Sequence, residues 1–155
     1  MLRHSTEVSG STLFLPHPEM LPLTDVPILG GLSAASDDAQ VRDLLELVRR
    51  SARGGCLRVS VGGQGAAAVR ALGQQIARVL REVSFPAGCP LVLLVRENVG
   101  KVLGHYVTGW GALPLNLVVI DEVTLRDAQY AHLGAAHGQV VPVSFYGLNA
   151  QGDHP

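Results

Sequence analysis

Hydrophobic positions along this chain change their spacing several times, and each change marks an element. Residues 91–95 (LVLLV) and 117–120 (LVVI) are apolar without alternation, as expected of strands covered on both faces. Between them Val99, Val102, Leu103 and Tyr106 stand at i, i+3, i+4 and i+7, a helical stripe. Asn98 is placed to cap that helix and Gly109 to end it. Strand, helix, strand over residues 90–122 is a βαβ unit, long enough for a right-handed crossover between parallel strands.

Upstream, Ser36-Asp37-Asp38 supply a cap and negative charge at a helix start. Val41, Leu44, Leu45 and Val48 form its buried stripe, and Arg42/Glu46 and Glu46/Arg50 are spaced as exposed i,i+4 pairs. Gly54-Gly55 end this helix, and a short strand over 56–61 follows. After Gly62-Gly63 a longer helix runs to Val83, with Val69, Leu72, Ile76, Val79, Leu80 and Val83 on one face and Arg70, Gln74, Arg78 and Arg81 away from it. Residues 6–15 favour a strand in their second half, with Gly10 at a bulge or close approach. Pro16, Pro18, Pro22 and Pro27, followed by Gly30-Gly31, predict an extended surface connection that is neither helix nor central strand. Its apolar members Met20, Leu21, Leu23, Val26, Ile28 and Leu29 pack along the domain. Near the other end, 130–133 and 139–145 predict a hairpin closing one sheet edge, with Pro142 requiring an edge or bulged position. Alternating strands and helices give an α/β class with a mixed sheet, one domain over 1–148 and a frayed tail over 149–155.

The length of 155 residues suits one domain. A net charge of -1 gives no electrostatic footprint for nucleic acid or an anionic membrane. The first eleven residues lack the apolar core of a signal peptide, and no window reaches the ~20 apolar residues of a membrane helix. The expectation is a soluble, cytoplasmic protein with no nucleic-acid or membrane partner. Cys56 and Cys89 form no CxxC pair and read as buried free thiols.

Candidate chemistry is sparse. Residues 63–68 (GQGAAA) fit G-x-G-x-x-A between a strand and a helix, where glycines let backbone amides approach a pyrophosphate. The ribose-binding acid belongs about 20 residues on; here the next strand ends at Arg96-Glu97, more than 30 residues on, and Glu82 sits inside the helix. A glycine turn for tight helix–strand packing explains the pattern more simply. Asn98-Val99-Gly100-Lys101 opens the central helix, and its amides with Lys101 suit an anion, although the spacing is not that of a phosphate loop and a cap beside a solvated lysine suffices. Asp121-Glu122 stand at the carboxyl end of a strand, where α/β folds place ligand-binding groups; a turn or a partner contact suffices for a lone pair. His132 and His137, with Asp127 nearby, do not make up a metal set. Trp110, between two glycines, is a core plug or an exposed contact. No catalytic residue follows from the residues themselves.

Residues 96–107 (RENVGKVLGHYV), 118–134 (VVIDEVTLRDAQYAHLG) and 138–148 (GQVVPVSFYGL) resemble the C-terminal part of the ethanolamine ammonia-lyase reactivating factor (EutA) family. The likeness extends in order over nearly the whole chain, to Leu148. It implies a chaperone of an adenosylcobalamin enzyme, built on the actin-like or Hsp70-like (ribonuclease H-like) ATPase fold, that uses ATP and Mg to release damaged cobalamin. It further implies ethanolamine ammonia-lyase as partner, a role in ethanolamine catabolism, and a cytoplasmic or bacterial-microcompartment setting. The family's N-terminal half, with its Asp/Gly/Thr phosphate loops, and its glycine-rich adenosine-contacting stretch precede the segment where this chain begins. The resemblance therefore implies that the chain binds no cofactor alone and hydrolyses no ATP, with a missing ATPase half as its partner. Asn98, Gly100, Lys101 and Gly104 form the expected structural and contact loop, with Asp121 and Asp127 as further candidates. Two alternatives stand beside this reading: a free-standing nucleotide-binding domain using Gly62-Gly63-Gln64-Gly65, and a homo-oligomerisation module.

Overall fold

Four parallel strands carry the fold. In a computed structural model that describes residues 6–9, 13–63, 65–121, 123, 128–135 and 141–147, the strands are β1 (Thr6–Ser9), β2 (Leu13–Phe14), β3 (Leu23–Ser33), β4 (Gly55–Ser60), β5 (Leu91–Val95), β6 (Leu117–Ile120), β7 (Tyr130–Leu133) and β8 (Pro142–Tyr146). The helices are α1 (Asp38–Arg50), α2 (Ala66–Glu82) and α3 (Gly100–Val107), with a short 3-10 turn at Pro18–Met20. The strand order is β1-β8-β7-β3-β4-β5-β6-β2, with β3 to β6 parallel and the remaining neighbours antiparallel. The class is mixed α/β, and the central unit is as the apolar runs predict: β5 and β6 are adjacent, parallel and joined through α3.

The sheet curls. In a flat sheet its two outermost strands would lie about 34 Å apart, at ~4.8 Å per strand spacing. Yet β1 and β2 occupy opposite ends of the order, and the four peptide links from Ser9 to Leu13 reach at most about 15 Å. The two faces consequently hold two cores. All three helices cover the outer face, where Val41, Leu45, Val48, Leu72, Ile76, Leu80, Leu103 and Val107 meet Leu57, Val59, Leu93, Val95, Leu117 and Val119. The alternate residues of the same strands, Cys56, Val92, Leu94, Val118 and Ile120, face inward onto Val26, Ala131, Leu133, Val143 and Phe145 of the returning strands. Burial on both faces is why the central strands read as unbroken apolar runs.

Strand β3 overturns the prediction for the proline-rich stretch. Residues 23–33 form an eleven-residue strand in the middle of the order, not a surface connection. Its first half pairs antiparallel with β7 (Leu23 with Leu133, Pro27 with Tyr130) and its second half parallel with β4 (Ile28 with Cys56 through Ser33 with Ser60). Each half uses one neighbour, and the register shifts between Leu23 and Val26 and again between Ile28 and Gly30. Pro27 therefore sits where the ladder changes partner, and the next donor, Ile28 N–H, serves Gln129 O. The apolar members of the stretch do pack on the domain: Val26 is fully buried, and Met20, Leu21, Leu23 and Ile28 line the inner core.

Helix α1 starts as read: Asp37 accepts from Gln40 N–H, and the Gln40 side chain accepts from Asp37 N–H, a complete capping box. It ends at Arg50, before the glycines, with Ser51 as its last cap. The expected i,i+4 pairs do not form. Arg42 instead reaches Glu82 of α2 (2.7 Å), and Glu46 takes Arg49 (3.0 Å), because the α1 surface borders α2, where Arg78 also pairs with Asp38. Strand β2 appears in the second half of 6–15 as predicted, while β1 was not foreseen; Gly10 lies outside the described residues. The hairpin strands pair antiparallel, Tyr130 with Tyr146 through Leu133 with Val143, but they do not close an edge: β1 adds beyond β8. Pro142 opens its strand, a position that tolerates a missing donor. The tail over 149–155 lies outside the described residues.

Candidate functional site

The carboxyl ends of the parallel strands form the face where ligand-binding groups collect in α/β folds, and most of the predicted residues arrive there. The N-terminus of α3 is fastened by a side chain from elsewhere. Val99, not Asn98, is its N-cap and makes no side-chain cap bond. Instead the fully buried Asp121, one residue past β6, accepts the Gly100 N–H at 2.9 Å. A Cβ at Gly100 would stand 2.9 Å from the Asp121 Cβ, so this close approach requires glycine.

The buried stripe of α3 is Gly100, Leu103, Gly104 and Val107, whereas Val102 is 49% exposed. That corrects the predicted stripe of Val99, Val102, Leu103 and Tyr106. The helix is rotated so that two glycines face the sheet, and a hydrophobicity pattern gives glycine no weight. Gly104 admits the Phe14 ring, whose atoms a Cβ would strike. Phe14 in turn meets His105 edge-on at 5.1 Å, and His105 stacks on Trp110 at 4.6 Å. Trp110 resolves as an exposed residue (65%) with φ +57°. Lys101 is exposed. Asp127 and Glu122 lie outside the described residues, as does Gln64.

A second acid is the group that sequence reasoning missed. Glu97, just past β5, accepts the Ser60 hydroxyl (2.9 Å), the Val61 N–H (3.0 Å) and the Gly62 N–H (3.0 Å) at the turn between β4 and α2. Burial pulls its pKa upward, and the bonds from Val61, Ser60 and Gly62 outweigh that and hold it below the usual glutamate range. The only sequence signal was an acid directly after an apolar run, at a position too far along for a ribose contact.

Between the two turns lies a cavity of about 430 Å³, lined by Val61, Gly62, Gly63, Gly65, Ala66, Val69, Glu97, Asn98, Val99 and Val102. Gly65 caps α2 at φ +86° with no side-chain bond. A phosphate at this turn would compete with Glu97 for the amides of Val61 and Gly62, and one at α3 would compete with Asp121 for Gly100. At these three amides the chain's own acids hold the place an anion would take. What the cavity offers is an apolar wall of valines beside a backbone of small residues, the chemistry of contact with an apolar side chain. Among the described residues no three His, Cys, Asp or Glu side chains converge as metal ligands, and no helix is long and apolar enough to cross a membrane.

The family model described as Ethanolamine utilisation protein EutA matches residues 2–149. No curated protein and no solved structure matches the chain significantly.

Proposed function

Because the chain belongs to the ethanolamine utilisation protein EutA family, we propose that it is the partner-binding module of a chaperone-like reactivating factor for adenosylcobalamin-dependent ethanolamine ammonia-lyase. Its part is to engage the lyase while ATP and Mg serve a separate ATPase half, in the cytoplasm or at a bacterial microcompartment. The same reading assigns it to the C-terminal subdomain of the actin-like, ribonuclease H-like ATPase fold, an assignment that the parallel strands β3 to β6 with crossover helices support.

The observation that carries the binding role is the engagement of both strand-end amide sites by the chain's own acids, Glu97 at Val61 and Gly62 and Asp121 at Gly100. That arrangement also weighs against a free-standing nucleotide domain at Gly62-Gly63-Gln64-Gly65. The test is sedimentation of the purified chain with ethanolamine ammonia-lyase carrying damaged cobalamin, alongside an ATP turnover assay. A complex with the lyase, and turnover no higher than a heat-killed control, are expected. Failure to form a complex with the lyase overturns the partner, and turnover above the control overturns the division of labour.

A further inference from the structure

Arg58 stands in the middle of β4, on a central parallel strand whose other residues Gly55, Cys56, Leu57 and Val59 are buried. Its strand neighbours are Gly31 on β3 and Leu94 on β5. Arg96 follows β5, and its N–H still donates to Val59 O, so the strand alternation continues and sends Arg96 to the same side as Leu94 and Arg58. Both guanidinium side chains are exposed, and both line one cavity of about 370 Å³ with Gly31, Ser60, Leu94 and Val123. This cavity opens on the helix-free side of the sheet, away from the valine-walled one between α2 and α3. Neither arginine side chain makes a hydrogen bond or ion pair among the described residues. Glu97, which takes the Ser60 hydroxyl, turns its oxygens to Ser60, Val61 and Gly62.

Two guanidinium charges on one face have no counter-charge among the described residues, and an arginine in the middle of a parallel strand gives up an apolar position. An oxyanion resolves both, because guanidinium forks match phosphate and carboxylate oxygens. We propose that the Arg58–Arg96 cavity is a binding site for a small organic anion whose recognised group is a phosphate or a carboxylate. The apolar remainder of the wall, Leu94 and Val123, takes the carbon part of the ligand, and Gly31 leaves the space beside Arg58 open.

The test is calorimetric titration of the full chain at low ionic strength with two probes, inorganic phosphate and succinate, which distinguishes the two sources of the anionic group. Saturable binding of at least one probe below roughly 10 mM is expected. The affinity falls about tenfold or more in Arg58→Gln and in Arg96→Gln and is unchanged in Arg70→Gln, a solvated helix arginine. Without probe, both cavity variants melt close to the parent's temperature, because neither guanidinium makes a hydrogen bond or ion pair among the described residues. If either glutamine variant fails to fold, Arg58→Lys and Arg96→Lys keep the charge and lose the fork, and the same loss of affinity is expected. Absence of saturation with both probes, full affinity in the cavity variants, or an equal loss in Arg70→Gln overturns the proposal. None of these outcomes bears on lyase binding, which the sedimentation experiment reads separately.

Discussion

The buried Asp121 carboxyl oxygen accepts the Gly100 N–H at 2.9 Å across 21 residues of sequence, tying the end of β6 to the start of the helix that precedes it. The contact closes the βαβ unit at its open end. It also gives a helix whose N-cap residue, Val99, makes no side-chain bond a partner from a distant side chain.

Removing either partner should therefore destabilise the fold by a comparable amount. Asp121→Ala leaves a buried N–H unpaired, about 1–3 kcal/mol, and Gly100→Ala forces a methyl against the Asp121 Cβ, about 1–3 kcal/mol. Urea unfolding of the two variants and of the double variant checks this. The double should lose less than the sum, because Asp121→Ala also removes the Cγ and Oδ2 atoms that crowd the new methyl at 3.2 Å; strict additivity would show that the two residues act apart.

Glu97 predicts an acid-limb effect with a definite sign. Its folded pKa lies below the ordinary value, so its stabilisation is fully present above that ordinary value and is lost as pH falls through the lower folded one. Glu97→Gln should be less stable at pH 7 by about 1–3 kcal/mol, since an amide cannot satisfy three donors as a carboxylate does. Its melting temperature should also fall less steeply than the parent's between about pH 5 and 3. Parallel pH profiles for the two proteins would remove Glu97 from the turn's energetics.

Gly104 makes a packing prediction. Gly104→Ala drives a methyl into the Phe14 ring and should lower stability by about 1–3 kcal/mol, the usual range for overpacking. Phe14→Ala, in the same chain, removes the ring atoms nearest that methyl and should recover part of that loss. Recovery by the smaller residue separates a steric role for Gly104 from a contact role, which the second substitution would not restore.

The thiols give a chemical check on the two cores. Cys56 is fully buried, and burial pushes its thiol far above the ordinary range; burial also raises Cys89, whose Sγ–H points to Val48 O at 3.5 Å. Neither is a ready nucleophile. An aromatic disulfide reagent at pH 8 should label Cys89 slowly and Cys56 only on unfolding. Prompt labelling of Cys56 in the native protein would contradict the inner core.

The features legible in the sequence are those set by local spacing. Leu91–Val95 and Leu117–Ile120 declare themselves because both faces of each strand are covered. The Asp37 cap declares itself because its partner Gln40 is three residues away. Strand β3 stays hidden because proline argues against strands one residue at a time, and nothing local reveals that the two halves of β3 pair with different neighbours. Glu97 and Asp121 show the same limit at the site. Each is visible as an acid after an apolar run, but its partner is an amide on another element, and the reading supplied outside ligands where the chain supplies its own donors. The α3 stripe fails for a different reason: Gly100 and Gly104 face inward by being small, a property that hydropathy does not register.

The opposite placement of β1 and β2 in the curled sheet gives the first strands of the chain a protective role. Sheet borders with unpaired amides and carbonyls are templates for self-association, and here β1 covers the free side of β8 while β2 covers that of β6. One short segment thus shields both exposed margins at once, like a clasp. Cutting it away would leave the helices and both cores in the remaining sequence and yet uncover two adhesive borders together, so the first failure of such a shortened chain would be aggregation.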